Sequence, residues 1–393
     1  MQDIVIVSAA RTAIGDFGGT LKDIPPIDLG AHSAAAAIER AGIQAEEVQQ
    51  AFYGNVIHTE ARDMYVSRCV ASAAGVPDSS PALTVNRLCG SGLQAVVSGI
   101  QTLSMGDAEV VLAGGTESMS RSGYLLPSAR WGQKMGDAQA TDMMVGVLTD
   151  PFGHGHMGVT AENIAAEFGI SRETQDAFAV ESHRRAARAI EEGRFAEQIT
   201  PVEIKTRKGT TVFDTDEHVR RNVSISDMSK LRPAFQKDGS VTAGNASGLN
   251  DGAASLVLMT AEAARKRNLS PLARVLSYGL SGVDPRLMGM GPVPAMRTAL
   301  SRAGLSACDL DVVESNEAFA AQACAVTSEL GLDPEKVNPN GGAVALGHPI
   351  GASGAIILTK LLYELRRIGG GKGAATMCIG GGQGIAVVVE SAV

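Results

Sequence analysis

Positive charge is in short supply. The 34 Lys and Arg residues stand against 42 Asp and Glu, a net charge of −8. That balance excludes non-specific attraction to nucleic acid. Cysteine is also scarce. Cys69, Cys89, Cys308, Cys324 and Cys378 form an odd set at irregular spacing, without a Cys-x-x-Cys pair. This excludes a zinc ribbon and a disulfide framework and fits a reducing, cytoplasmic setting. No apolar run is long enough to span a bilayer. Met1 to Arg11 reads as a strand around Ile4-Val5-Ile6-Val7, without the basic start and long apolar core of a signal peptide. The final Ser391-Ala392-Val393 matches no retention or peroxisomal signal. What is present is ordinary for a soluble protein of two or three domains: 393 residues, 45% hydrophobic and 19% charged. Glycine is abundant, at 46 residues, and predicts many tight turns and close backbone approaches.

One stretch organises the rest. In Asn86-Arg87-Leu88-Cys89-Gly90-Ser91-Gly92 an apolar run ends, a cysteine follows, and an apolar helix pattern starts at Leu93. The order strand, turn, helix puts Cys89 at a helix start. Unpaired N–H groups and partial positive charge collect there and favour thiolate over thiol. The position marks Cys89 as a candidate nucleophile; a buried, inert cysteine is the plain alternative.

Along the chain, strand Ile4–Val7, helix Asp28–Ala41 capped by Asp28, strand Ala51–Val56, a helix over 62–74, strand Ala82–Val85, helix Leu93–Met105 and strand Glu109–Ala113 follow in turn. The pattern then recurs. Arg40-Ala41-Gly42-Ile43 returns as Arg302-Ala303-Gly304-Leu305, and Ser91-Gly92 returns as Ser353-Gly354, both 262 residues later. Glu109–Ala113 matches Ala374–Cys378 with three extra residues between. A shared offset over about fifty residues indicates two copies of one α/β unit. Each copy is expected to hold a mostly parallel sheet, with buried central helices between the two sheets. The segment from about Glu117 to Leu249 reads as an insertion, with a helix from Ser171 to Gly193; strand Ala253–Met259 then returns to the first copy. Lys205 to Lys237 carries eight Lys or Arg against four Asp or Glu, a solvated surface or a dock for an anionic ligand.

Chemistry-bearing residues sit at turns of the second copy. His348 lies in the glycine-rich run Asn338 to Gly351, just before the counterpart of the Cys89 turn. A pseudo-twofold packing of the copies brings it near Cys89. Cys378 ends an apolar strand and opens Ile379-Gly380-Gly381-Gly382, whose N–H groups suit an oxyanion hole. Asn316-Glu317-Ala318-Phe319 forms another turn, one residue off the register of Asn55. His154 and His156 lack carboxylate or thiol company, so no metal site is read there, and Gly153-x-Gly155-x-x-Gly158 follows no strand and is accidental as a dinucleotide fingerprint.

Four motifs in order, Asn86–Gly92, Asn316–Phe319, Gly341–Gly351 and Cys378–Gly382, together with Met157 and Gly244-Asn245-Ala246-Ser247-Gly248, resemble the thiolase family over the whole chain. The resemblance is greatest to the short-chain bacterial acetyl-CoA acetyltransferases, or β-ketothiolases. It implies two βαβαβαββ halves in five αβαβα layers: residues 1–118 plus 250–270, and residues 271–393. Residues 119–249 would form a loop domain for CoA binding and tetramer contacts. It implies Cys89 as the acyl-accepting nucleophile, His348 as its base, and Cys378 as the proton carrier at Cα. Asn316 would hold a water, and the N–H groups of Cys89 and Gly380 the oxyanion. The CoA contacts would be Leu148, His156, Met157, Arg220, Leu231, Ala243, Gly244, Ser247, Ala318 and Phe319, with Asp227 where part of the family has serine. The implied reaction is reversible condensation of two acetyl-CoA to acetoacetyl-CoA and CoA, or thiolysis of short 3-ketoacyl-CoA, with ping-pong kinetics. CoA and acyl-CoA are substrates, no cofactor is tightly bound, no metal, nucleic acid or membrane is involved, and a homotetramer is expected. Broader chain-length use in fatty-acid degradation, a decarboxylating β-ketoacyl synthase and a non-catalytic acyl-CoA carrier are the competing readings.

Overall fold

The computed structural model describes residues 3–206 and 209–392. Met1, Gln2 and Val393, at the ends of the segments read above, and Arg207 and Lys208, two of the eight basic residues in the charged stretch, lie outside them.

Nine strands carry the architecture: β1 (Ile4–Arg11), β2 (Gln50–Gly54), β3 (Ala82–Val85), β4 (Val110–Ser118), β5 (Asn250–Thr260), β6 (Ala273–Gly282), β7 (Val312–Ser315), β8 (Lys372–Ile379) and β9 (Gln383–Ser391). Their order in the sheet is β7-β8-β9-β6-β1-β5-β4-β2-β3, with the short Gly15–Asp16 strand beside β5. The two halves meet at a narrow seam, where Val5 and Ile6 of β1 pair with Arg274 and Ala273 of β6.

The longer helices are α1 (Pro26–Ala41), α2 (Val66–Ala73), α3 (Ser91–Met105), α4 (Met157–Glu167), α5 (Arg172–Glu191), α6 (Pro292–Ala303), α7 (Ala320–Glu329) and α8 (Ile350–Arg367). Both faces of β1 are buried. Ile4 and Ile6 join the apolar cluster that holds α3 and α8, whereas Val5 and Val7 join the one beneath α1 and α2. Helix α6 covers the outer face of the second half through Ala295, Met296 and Ala299. The result is helices, sheet, two central helices, sheet, helix. Among the described residues no helix is long and apolar enough to cross a membrane.

The duplication is closer than the sequence suggests. Gln50 pairs with Val111, and 262 residues later Val312 pairs with Gly373. Strand β4 thus matches β8 with no extra residues, against the three expected. The side-chain capping boxes Gln44/Glu47 and Ser306/Asp309 share that offset, as do the left-handed Gly42 and Gly304 that end α1 and α6. The third strand of the second copy is reduced to one bridge between Val313 and Val337.

Two local expectations fail. Among the described residues antiparallel strand pairs outnumber parallel ones; of the nine strands, β2–β3, β2–β4 and β7–β8 pair in parallel. The β8–β9 pair is a hairpin closed by Gly381 and Gly382 at positive φ, and a tight hairpin makes its strands antiparallel. Helix α1 begins at Pro26 behind Pro25, so Asp28 lies in its first turn rather than at the cap. A proline there loses no helical hydrogen bond.

Central helices α3 and α8 cross at two glycines in the same register. A β-carbon on Gly92 would come 2.8 Å from the Ala355 nitrogen, and one on Gly354 would overlap the Leu93 nitrogen. The inserted segment is tied to the first half by a buried, bidentate Arg11–Asp216 ion pair, with bonds of 2.7 and 3.0 Å.

Candidate active site

The turn before α3 is fastened by its own short polar side chains. Asn86 Oδ1 accepts the Leu88 N–H at 2.9 Å, and Ser91 Oγ accepts the Arg87 N–H at 2.9 Å while donating to the Leu88 carbonyl at 2.6 Å. Leu88 is thereby held at φ 45°, a left-handed conformation costing a non-glycine residue about 1–2 kcal/mol. Strain of this kind persists only where surrounding contacts impose it. It presents the next residue, Cys89, at the wall of a narrow pocket.

That pocket has a volume of about 60 Å³ and is lined by Cys89, His348, Cys378 and Gly380 together with Leu88, Val147, Leu148, Met157, Ser247, Met288, Ala318, Phe319 and Ile350. Four of the five residues expected to do chemistry thus share one cavity. The fifth, Asn316, is buried beside it and places its Nδ2 3.4 Å from His348 Nε2. A larger cavity of about 450 Å³ lies behind the Asn316–Phe319 turn, between α5 and α7. Its thiol, Cys324, is pushed up to about 12 by burial, and no imidazole lines it to take a proton.

Burial pushes the Cys89 thiol up to about 11, although the N–H groups of Gly380 and of Cys89 itself point at the sulfur and pull the other way; the Glu117 charge adds to the rise. The expectation of a resting thiolate is therefore wrong. The helix-end effect is local and small, whereas removal from water and a nearby carboxylate act together. Cys378 is 1% exposed, and its thiol is raised by burial and then by the charge on Cys89. The two sulfurs are electrostatic neighbours.

Burial pushes His348 down to about 4, so the ring is neutral near pH 7. Its tautomer follows from its partners. Ser353 Oγ lies 2.6 Å from His348 Nδ1 and 2.9 Å from the Pro349 carbonyl, which can only accept. The serine proton goes to that carbonyl, so Nδ1 carries the imidazole proton and Nε2 keeps its lone pair. The Asn316 amide and the pocket face that lone pair.

The scaffold beneath His348 is ionic. Lys360 Nζ, 3% exposed, donates to Glu314 at 2.7 Å and to the Gly341 carbonyl at 2.7 Å. Glu317 accepts from Ser182 at 2.7 Å, Asn338 at 2.8 Å and the Val344 N–H at 3.2 Å. Ser182 belongs to α5, so the insertion helps to hold the histidine loop.

Leu148, Met157, Ser247, Ala318 and Phe319, of the expected CoA contacts, line the pocket. His156 caps α4 through the Gly158 N–H and stacks on Phe235 at 4.7 Å, and Phe235 meets Phe319 edge-on. Gly244 packs against Met228 and Leu231, while Arg220 and Ala243 are exposed outside the pocket. Val147, Met288 and Ile350 were not foreseen as lining residues, and neither was Phe235 behind the pocket. Single apolar residues scattered along a chain carry no signal of a shared wall.

Two family models cover nearly the whole chain. The thiolase N-terminal domain matches residues 4–262, and the thiolase C-terminal domain matches residues 269–391. The chain is 60% identical over 390 residues to "Beta-ketothiolase BktB" of Cupriavidus necator, covering 99% of each. It is 50% identical over 395 residues to an acetyl-CoA acetyltransferase of Syntrophomonas wolfei, again covering 99% of each. Human mitochondrial 3-ketoacyl-CoA thiolase superimposes with a TM-score of 0.98 at 46% identity, over 100% of this chain and 99% of that one. With the doubled fold, the shared pocket and these likenesses in hand, the chain belongs to the thiolase family.

Proposed function

We propose that this acyltransferase is an acetyl-CoA C-acetyltransferase, or β-ketothiolase. It joins two acetyl-CoA to acetoacetyl-CoA and CoA, or cleaves short 3-ketoacyl-CoA in reverse. The observation that carries this reading is the meeting of two thiols and one neutral imidazole in one narrow pocket. Cys89 attacks the thioester carbonyl and gives its proton to His348 Nε2. The N–H groups of Cys89 and Gly380 receive the developing oxyanion, the CoA sulfur departs with the proton, and acetyl-Cys89 remains. A second acetyl-CoA enters, Cys378 passes its own proton to His348 Nε2, and the thiolate so formed removes the α-proton. His348 and Asn316, directly or through the water Asn316 would hold, stabilise the enolate oxygen. The new carbon–carbon bond forms as Cys89 leaves and takes a proton back from His348 Nε2.

The electrostatics support this order. A charge on Cys89 raises Cys378. Acylated Cys89 cannot ionise, so that charge cannot arise to oppose loss of the Cys378 proton once the first sulfur has been loaded. A pocket of about 60 Å³ closed by Met157, Met288 and Phe319 supports a short acyl group over the longer chains of fatty-acid degradation.

CoA would contact His156, Arg220, Leu231, Ala243 and Gly244 beyond the pocket-lining residues, and no tightly bound cofactor is needed. Residues 1–118 plus 250–270, 119–249 and 271–393 serve as the two halves and the loop domain. A cytoplasmic homotetramer completes the reading, supported by exposed Tyr124, Leu125, Trp131 and Met135 in the insertion; sedimentation as a monomer contradicts it.

Exchange of labelled acetyl groups between acetyl-CoA and CoA tests the chemistry. Cys89→Ala should abolish exchange, and Cys378→Ala should retain exchange while losing condensation. Full exchange by Cys89→Ala ends the proposal. Rates with acetoacetyl-CoA, 3-ketovaleryl-CoA and 3-ketohexanoyl-CoA then set the chain length.

A further inference from the structure

His348 belongs to the second half and Cys89 to the first, so something must fix their spacing. Two buried polar side chains on neighbouring strands of the first half reach across to the backbone around His348. Asn250 begins β5, and its Oδ1 accepts the His348 N–H at 2.9 Å. Glu117 lies in β4, and its Oε2 accepts the Gly351 N–H at 2.9 Å. Both residues are fully buried.

The surroundings are shaped to let them in. Gly347, at φ 104°, has the Asn250 side chain where its β-carbon would stand. A β-carbon on Gly351 would lie 2.5 Å from Glu117 Oε2. Larger residues at either position would hold the two side chains off. The far ends are anchored as well. Asn250 Nδ2 donates to the Gly15 carbonyl at 3.0 Å and to Asp16 at 3.3 Å, and Asp16 also meets His218 of the insertion. Glu117 takes three further bonds of 3.1 Å from Asn55 Nδ2 and the N–H groups of Val56 and Ile57. All four partners of that carboxyl are donors, and they favour its accept-only, ionised form against the burial that pushes it up to about 8.

We propose that Asn250 and Glu117 are positioning residues for the reaction, a clamp from the first half that grips the His348–Gly351 segment and sets the distance from the imidazole to Cys89. The inference rests on His348 acting as the base for Cys89. Neither clamp residue lines the pocket; Asn250 acts through His348, and Glu117 acts through the Gly351 end of the segment and, by its charge, on Cys89. Displacement of a reacting group by about 1 Å costs on the order of 10²-fold in rate.

The test is steady-state kinetics together with the rate of iodoacetamide alkylation of Cys89 at pH 7. Asn250→Ala should lower kcat about 10²-fold, leave the KM for acetyl-CoA within about three-fold, and slow alkylation at least ten-fold. Asn250→Asp keeps the oxygen that receives the His348 N–H and, held protonated beside Asp16, a donor for the Gly15 carbonyl; it should lose at least five-fold less. Glu117→Gln should fare as badly as Glu117→Ala, because its amide would face N–H donors. If Asn250→Ala fails to fold by circular dichroism, Asn250→Asp and Glu117→Asp report the same two rates. Folded variants with kcat and alkylation within two-fold of the parent overturn the clamp, as does a loss confined to KM or an equal loss in Asn250→Ala and Asn250→Asp. His348→Ala separates the two levels. If it turns over normally, the assignment of the base fails; if it is inactive while the Asn250 variants are unaffected, the clamp alone fails.

Discussion

The two halves start from one plan and end with different duties. In the first, the turn before α3 is short, strained at Leu88 and only partly covered, and it puts a thiol at the pocket wall. In the second, the matching turn before α8 lies over a buried network of Glu314, Lys360 and Glu317 and carries a neutral imidazole. Duplication supplied two helix starts that face each other. Divergence then made one a reactive edge and the other a rigid support. The buried Glu314–Lys360 pair has no counterpart at the matching positions of the first half, Phe52 and Ser98.

The comparison is broken most directly at His348, the proposed base. His348→Ala should reduce condensation by about 10²–10⁴-fold, read as kcat/KM, with the fold retained by circular dichroism. Lys360→Met comes next. It leaves Glu314, already pushed up to about 7 by burial, without its partner and should cost about 3–5 kcal/mol in denaturant unfolding. No corresponding ion pair exists at the register-matched positions, which are Phe52 and Ser98, so Ser98→Ala should be close to neutral.

Acid gives the third effect. His348 is held near 4 against a usual 6.5, so the folded state binds fewer protons than the unfolded one between these values. Its contribution to stability is present above about pH 6.5 and is lost as pH falls towards 4, by up to about 3 kcal/mol. His348→Gln should flatten the unfolding free energy over that window; an unchanged slope places the proton elsewhere.

The smaller effects test the symmetry itself. Gly92→Ala and Gly354→Ala should each cost about 1–3 kcal/mol by spreading the same helix crossing. The double variant should lose less than the sum, because helices already parted admit the second methyl group. Smallest are the register-matched caps: Glu47→Ala and Asp309→Ala should each cost about 0.5–1 kcal/mol, and by similar amounts.

Much of this was legible in the sequence, for local reasons. Ser171 caps α5 by accepting the Thr174 N–H, and Gly106 ends α3 in a left-handed conformation, as their residue types indicate. The Cys89 turn and the four motifs were equally plain. The failures are long-range. A resting thiolate follows from the helix end alone; only the fold brings Glu117 and a dry pocket to Cys89. Matching the apolar runs places three extra residues between the copies, whereas the pairing of Gln50 with Val111 and of Val312 with Gly373 fixes the register. Asn250 and Glu117 gave a faint sign, each a polar residue at the end of an apolar strand. Their partners lie 98 and 234 positions away, beyond any periodic pattern.

The placing of β5 bears on how the molecule is made. This strand lies between β1 and β4 and pairs with both, yet it follows the last residue of β4 by 132 positions, 250 minus 118. At ribosomal speeds of about 5–20 residues per second, that gap lasts on the order of ten seconds. For that interval the nascent sheet has an open slot with two unpaired edges, and the half that carries Cys89 is finished only after the whole insertion has left the exit tunnel. Chaperone demand should therefore peak while the insertion is being made and β5 has yet to emerge.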